Sequence, residues 1–224
     1  MKLILGSQSP RRRELLERMG LEFTVLTAEI DETKFETDDP ETSVRRICAA
    51  KAEAVAWKMR EQGSGIKDQE SEEDACSLIL ASDTVVVLDG KIMGKPHDAA
   101  EARAMLTALS GREHAVYTAF TILPFTALGR QGETVTNEGA AGFVGGAYTH
   151  CEKTYVKFRN LTPEEIAAYV ATGEPMDKAG AYGIQNLGAM LVESIRGDYF
   201  TVMGLPVCQL AQALKRYGID PLAP

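Results

Sequence analysis

Histidine is scarce and scattered. The chain's three, His97, His114 and His150, stand alone. No H-E-x-x-H or G-x-S-x-G accompanies them, which sets aside zincin and serine-hydrolase chemistry. Cysteine is equally thin: Cys48, Cys76, Cys151 and Cys208 lie far apart. With no C-x-x-C pair, neither a zinc ribbon nor a redox dithiol is indicated, and free thiols are expected. No apolar run approaches membrane-spanning length, and the N-terminal segment turns polar at Ser7, too early for a signal-peptide core. A cytosolic protein without a membrane partner is the expectation. Positive charge is in deficit as well, at a formal net charge of -8. Broad attraction to nucleic acid or anionic lipid needs a cationic surface, so no nucleic-acid partner is expected, and any bound polyanion must meet locally gathered cations. There is no G-x-x-x-x-G-K-[ST], and Gly142-Phe143-Val144-Gly145-Gly146 lacks the spacing of a dinucleotide fingerprint.

What is present is enough for one core. At 224 residues with 45% hydrophobic content, residues 1–224 read as a single domain. Lys2 to Leu5 is a short apolar strand, followed by a Ser9 cap, a proline at the first helical position, and a helix stopping at Gly20. A second helix is predicted over about Thr42 to Met59, with Val44, Ile47, Cys48, Ala52 and Val55 on one stripe and Lys51 on that same inward stripe. Leu78 to Leu88 reads as a strand, Asp89-Gly90 as a hairpin turn and Lys91 to Met93 as the return. Asp98 and Glu101 cap a helix through Leu109. Ala115 to Leu123 and Cys151 to Phe158 read as strands, and Thr162-Pro163-Glu164-Glu165 starts a capped helix ending near Gly173. A last helix runs from Pro206 to Tyr217. This irregular alternation predicts an α/β (mixed α+β) fold with a mixed sheet. Gly63 to Ser77 and Pro124 to Thr149 lack a core-building pattern and read as loop insertions or a flap.

Four features ask for chemistry. Ser7-Gln8-Ser9-Pro10-Arg11-Arg12-Arg13 puts three arginines at a helix N-terminus, where they oppose the helix dipole. Free N–H groups, the hydroxyls of Ser7 and Ser9 and guanidinium forks make a phosphate cradle. The alternative is a solvated basic helix end, and on this segment alone the two weigh equally. Asp83 interrupts an aliphatic strand, and a buried carboxylate is costly unless paired or metal-bound. A structural role in holding a neighbouring loop is the competing reading. Lys51 on an apolar stripe poses the same question, since most such lysines snorkel to water. Asp177-Lys178-Ala179-Gly180-Ala181-Tyr182-Gly183-Ile184-Gln185 combines charge with small residues that let backbone approach a ligand. Lys95, in Gly94-Lys95-Pro96, adds a cation after the hairpin, and Glu32 in Ile30-Asp31-Glu32-Thr33 reads by itself as a solvated loop acid.

Taken in order, Ser7-Gln8-Ser9-Pro10-Arg11-Arg12, Asp31-Glu32, Lys51-Ala52, Ser82-Asp83-Thr84-Val85-Val86, Gly94-Lys95-Pro96, Leu109-Ser110-Gly111, the 177–185 segment and Gly204-Leu205-Pro206 resemble the Maf family of nucleotide pyrophosphatases, also called septum formation inhibitors. The resemblance spans nearly the whole chain. It implies a long mixed sheet flanked by helices with a deep cleft between two lobes, as in the inosine triphosphatase-like architecture. It implies hydrolysis of a nucleoside triphosphate to monophosphate and pyrophosphate. By the same matching, Asp83 is the base that activates water, and Glu32, Lys51, Lys95, Asp177 and Lys178 line the phosphate and metal site. Glu32, Asp83 and Asp177 are then the oxygen donors for a divalent ion. Such donors suit Mg²⁺ or Mn²⁺ rather than zinc. Homodimerisation is a family-level expectation.

The family branch acting on dTTP and UTP resembles this chain in carrying Arg11 after the proline, Thr84 after the aspartate and Gln185 late in the motif. The Gln185 amide can pair with a pyrimidine imide, but guanine offers the same donor and acceptor, so the branch assignment rests on resemblance. The rival from another class is a non-catalytic, nucleotide-binding regulator of cell division.

Overall fold

The computed structural model describes residues 1–63, 77–125 and 146–223. Among these residues seven strands form one mixed sheet: β1 (Lys2–Leu5), β2 (Phe23–Val25), β3 (Ser77–Leu88), β4 (Lys91–Met93), β5 (Glu113–Phe125), β6 (Tyr148–Phe158) and β7 (Val192–Arg196). The order is β2-β1-β3-β5-β6-β7, with β4 also on β3. β1 runs parallel to β2 and β3, and every other pairing is antiparallel. The helices are α1 (Pro10–Arg18), α2 (Pro40–Gly63), α3 (Ala99–Leu109), α4 (Pro163–Ala171), α5 (Tyr199–Met203) and α6 (Val207–Lys215). The predicted α/β class and mixed sheet flanked by helices are therefore what is found.

Side chains alternate across a strand, so β3 feeds three apolar clusters. One face carries Leu78 and Leu80 under α1 and α6 at one end, and Val86 and Leu88 under α3 and α4 at the other. Ser82 and Thr84 lie between them on the same face, making a polar belt at the middle of the strand. The opposite face, through Ile79, Ala81, Val85 and Val87, packs against Val44, Cys48, Ala52 and Val55 of α2. The predicted inward stripe of that helix is thus its buried face, but its start lies two residues earlier. Asp39 accepts from the Thr42 backbone N–H at 2.8 Å, and Pro40 takes the first-turn position where a missing N–H costs nothing.

Local signals acted as expected at several ends. Asp89 and Gly90 both adopt positive φ, 52° and 76°, as a tight hairpin turn demands. The Thr162–Glu165 capping box is complete, and Asp98 accepts from the Glu101 N–H. The strand edges of the second suspected insertion are ordered: β5 runs to Phe125 and β6 begins at Tyr148, because Thr121 and Ile122 find register partners in Thr149 and Tyr148. Gly63 likewise ends α2, and Ser77 opens β3. The interiors of both expected insertions, 64–76 and 126–145, lie outside the described residues.

One detail of pairing places the site. β1 lies beside Ser77–Leu80, and β4 beside Val86–Leu88. Among the described residues, positions 81–85 have no strand neighbour on that edge. Asp83 stands in the middle of this gap.

Candidate active site

The gap collects charge from four directions. Asp83 shares the α2 face of β3 and is 8% exposed. Lys51 projects from α2 one helical turn after Cys48, and its Nζ donates to Asp83 Oδ1 at 2.7 Å. The same ammonium meets Glu32 Oε1 at 2.8 Å. Glu32 opens a single 3-10 turn, Glu32–Phe35, which the Lys51 contact ties to α2. Residue by residue, the sequence presented two anomalies, Asp83 and Lys51, and an ordinary loop acid, Glu32; the fold joins them into one cluster with a lysine bridging two carboxylates. Lys51 therefore does not snorkel to water; it is held by two anions.

The arginine-rich turn approaches from the end of β1. Arg12 donates from Nε to Gly204 O at 2.8 Å, from Nη1 to Ser7 Oγ at 3.1 Å and from Nη2 to Thr84 Oγ1 at 3.2 Å. Thr84 hydrogen bonds Thr118 at 2.9 Å, and Thr118 donates to Thr201 O at 2.7 Å. Because Thr118 spends its proton on Thr201, Thr84 donates to Thr118 and accepts from Arg12, giving a one-way chain of bonds. Ser82 donates to Gly204 O as well, at 2.9 Å. Burial lowers the Arg12 pKa, and the carboxylate of Asp83 opposes that shift. Three of its five N–H groups are thus used to lock the fork, and the other two make no hydrogen bond among the described residues. Ser7 is buried and accepts from the Ser9 N–H at 3.2 Å. Ser9 has the backbone of a cap but makes no side-chain cap bond, and Arg13 is exposed.

The 177–185 segment meets the arginine-rich turn at Arg11. Lys178 is 11% exposed at its side chain; its Nζ donates to Glu174 O and to Asp177 Oδ1, both at 2.5 Å. Asp177 also meets Arg11 at 3.6 Å. Burial works against ionisation of Asp177, yet the Lys178 ammonium and Arg11 hold its carboxyl below the ordinary range. Gly180, at φ 67°, sits where a Cβ would fall 2.9 Å from Val86, and its N–H donates to Gly94 O at 3.0 Å. That bond ties the segment to the turn carrying Lys95, which is exposed. Gln185 has both amide atoms buried and without a hydrogen-bond partner among the described residues. It lines a cleft of about 320 Å³ with Arg11, Glu14, Lys178, Tyr199 and Met203.

The structure therefore brings Glu32, Lys51 and Asp83 together, bonds Arg12 to Ser7 and to Thr84 next to Asp83, and sets Arg11, Lys178 and Gln185 around a cleft, with Asp177 paired to Arg11 and Lys178. It does not unite the three carboxylates: among the described residues no group of three His, Cys, Asp or Glu side chains is placed to hold a metal. Sequence reading missed Glu174 and Tyr169. Tyr169 OH donates to Glu174 Oε1 at 2.9 Å, and the Leu187 and Gly188 N–H groups donate to the same carboxylate at 3.2 and 3.1 Å. The available signal was the acid in Gly173-Glu174-Pro175, directly before the 177–185 segment. The thiols are free as expected: burial pushes Cys48 and Cys151 up to about 12, and Cys208 is exposed. Cys76 lies outside the described residues.

Comparison with known proteins follows the same path. The profile of the family described as Maf-like protein matches residues 2–217. A dTTP/UTP pyrophosphatase of Moorella thermoacetica is 45% identical over 219 residues, covering 98% of this chain and 96% of that protein. A dTTP/UTP pyrophosphatase of Bacillus cereus is 40% identical, covering 98% and 97%. A solved HAM1 protein from Coxiella burnetii superposes with a TM-score of 0.46 at 14% identity, over 96% of this chain and 99% of that one. No helix among the described residues is long and apolar enough to cross a membrane.

Proposed function

The chain belongs to the Maf family, and from that membership we propose that it hydrolyses dTTP and UTP to the nucleoside monophosphate and pyrophosphate. The observation that carries the mechanism is the Glu32–Lys51–Asp83 cluster in the gap of the sheet. Asp83 accepts a proton from water as that water attacks the α-phosphate. Lys51 holds the carboxylate in place through the 2.7 Å contact of its ammonium with Oδ1. Glu32 shares the ammonium, so loss of one carboxylate contact during the reaction leaves Lys51 anchored by the other.

Charge that develops on the departing pyrophosphate needs fixed cations, because preorganised groups pay no reorganisation cost at the moment of reaction. Arg12, locked by three bonds, supplies one; Lys178 and Lys95 supply two more, and Ser7 and Ser9 offer hydroxyls. Asp177 fixes Lys178 and Arg11. The unpartnered Gln185 amide is suited to a base edge, since a buried amide left without partners costs about 1–3 kcal/mol per group and a ligand removes that penalty. Arg11 and Thr84 complete the pattern that the dTTP/UTP branch carries.

The donor chemistry fits a divalent cation. Glu32 and Asp83 offer two converging carboxylates, and Mg²⁺ or Mn²⁺ commonly takes one or two carboxylates and fills its remaining positions with water and substrate phosphates. Glu32 and Asp83 would hold the ion, which screens the triphosphate charge when bound.

The test is a comparison of kcat/KM for dTTP, UTP, CTP and 7-methyl-GTP with Mg²⁺ and Mn²⁺. Preference for dTTP and UTP is expected. Preference for the methylated purine refutes the branch, and tight binding without turnover of any nucleotide favours the non-catalytic regulator.

A further inference from the structure

The Gln185 side-chain amide makes no hydrogen bond among the described residues, yet it is buried in the wall of the cleft. Something else must hold it there. The loop from Gly183 to Gly188 is short, includes Asn186 at φ 59°, and leads into a 3-10 turn, Asn186–Leu191. Its two ends are drawn together on a glutamate–tyrosine pair. Glu174 Oε1 accepts from Gly188 N–H and from Tyr169 OH, and Oε2 accepts from Leu187 N–H. Tyr169 OH in turn accepts from Gly183 N–H at 3.3 Å. Backbone N–H groups on both sides of Gln185 thus converge on a tyrosine–glutamate pair from the adjoining helix and turn. The closure is tight: a Cβ on Gly188 would lie 2.0 Å from Gly183 O and 2.7 Å from Tyr169 OH. The same turn also holds Lys178, through Glu174 O.

We propose that Glu174, with Tyr169, is a positioning residue for nucleotide recognition: it clamps the Gly183–Gly188 loop so that the Gln185 amide faces the cleft in a single place. This rests on the pyrophosphatase reading above, and it assigns a role to two residues that touch no phosphate. Burial raises the Tyr169 hydroxyl well above its ordinary pKa, so it remains a donor throughout the neutral range. Without the carboxylate, three donors lose their acceptor and the loop samples other arrangements. If the competent arrangement then falls to about a tenth of the population, apparent affinity falls about tenfold.

The experiment is a double-mutant cycle read by calorimetry with the non-hydrolysable α,β-methylene analogue of UTP. Wild type, Glu174→Ala, Gln185→Ala and the double variant are compared. Each single change is expected to weaken binding about tenfold, and the double variant is expected to be no more than about threefold weaker than Gln185→Ala, because Glu174 acts only through Gln185. Tyr169→Phe, which deletes one hydroxyl and keeps the packing, should move binding in the same direction and serves if Glu174→Ala does not fold. Additive losses of about a hundredfold overturn the proposal, as does a Glu174 or Gln185 variant that binds like wild type. Failure of the wild type to bind the analogue overturns the nucleotide reading itself, and with it this one; an additive cycle overturns the clamp alone.

Discussion

Replacing Lys51 with methionine keeps the length of the side chain and removes the ammonium from between two carboxylates. Asp83, whose side chain is 11% exposed, then loses its ion-pair partner, while Glu32, 49% exposed, can turn to solvent. Breaking a buried pair by deleting one partner costs about 3–5 kcal/mol, and half-exposed pairs contribute little. The Asp83 contact therefore sets the scale, and a loss near the lower bound, about 3 kcal/mol, is expected. For a chain of this size that lowers Tm by roughly 6–12 °C. The penalty belongs to the stranded carboxylate, so Lys51→Met combined with Asp83→Asn should regain at least about half of it, because removing the second charge removes the cost. Urea unfolding at pH 7 reads the stability, and pyrophosphate release from UTP measured on the same samples should stay lost in both variants. A Lys51→Met protein within about 0.5 kcal/mol of wild type, the range of an ordinary surface change, refutes the reasoning.

Three further outcomes follow. His114 is 3% exposed, its Nε2 hydrogen bonds Tyr182 OH at 2.7 Å, and burial lowers its pKa to about 4. Its contribution is full above the unfolded value of about 6.5 and is lost as pH falls toward 4, some 3 kcal/mol in all; urea titrations from pH 7 to 4 should show that slope reduced in His114→Phe, and equal slopes would contradict it. Gly188→Ala drives a Cβ into Gly183 O and should cost about 1–3 kcal/mol in the same unfolding assay, with a neutral result opposing the close-packed clamp. Chelation of divalent ions should abolish pyrophosphate release and added Mg²⁺ or Mn²⁺ should restore it; full turnover in excess chelator would remove the ion from the account.

Much of this was legible in the chain because local chemistry and tertiary need agreed. Asp83 stood out as the one charge in an aliphatic strand, and that oddity marks the gap between β1 and β4. Lys51 stood out on an apolar stripe, and its partner across the interface is that same aspartate. Other parts were illegible for definite reasons. Glu32 looks like any loop acid, since its meaning comes from Lys51, nineteen positions away. β2 has three residues, too few for a period of two to show, and β7 is a mostly exposed edge strand without apolar alternation. α5 and the 3-10 turns are shorter than the helical repeat needed to reveal a face. Glu174 precedes a proline and reads as a turn residue, because the backbone donors it serves lie thirteen and fourteen positions on. Thr84, read by resemblance as touching substrate, also has a structural task that only the fold discloses, linking Arg12 to Thr118.

The arginine-rich turn illustrates the same division. Its charge pattern called for an anion, and two of the five Arg12 N–H groups make no hydrogen bond among the described residues, as the proposed phosphate site needs. The other three bind Gly204, Ser7 and Thr84, which no spacing rule joins. Preorganisation of this kind is what a phosphate site requires, because the cations must already be aimed when charge builds on the leaving group.

The central claim is that Asp83 activates water in a pyrophosphate-releasing hydrolysis, and quantifying pyrophosphate and UMP from UTP with Asp83→Asn tests it most directly. The variant is nearly isosteric and removes the base. With wild-type-like circular dichroism, its kcat should fall by about 10²–10⁴-fold. Turnover equal to wild type in that folded variant, or phosphate in place of pyrophosphate as the wild-type product, would contradict the account.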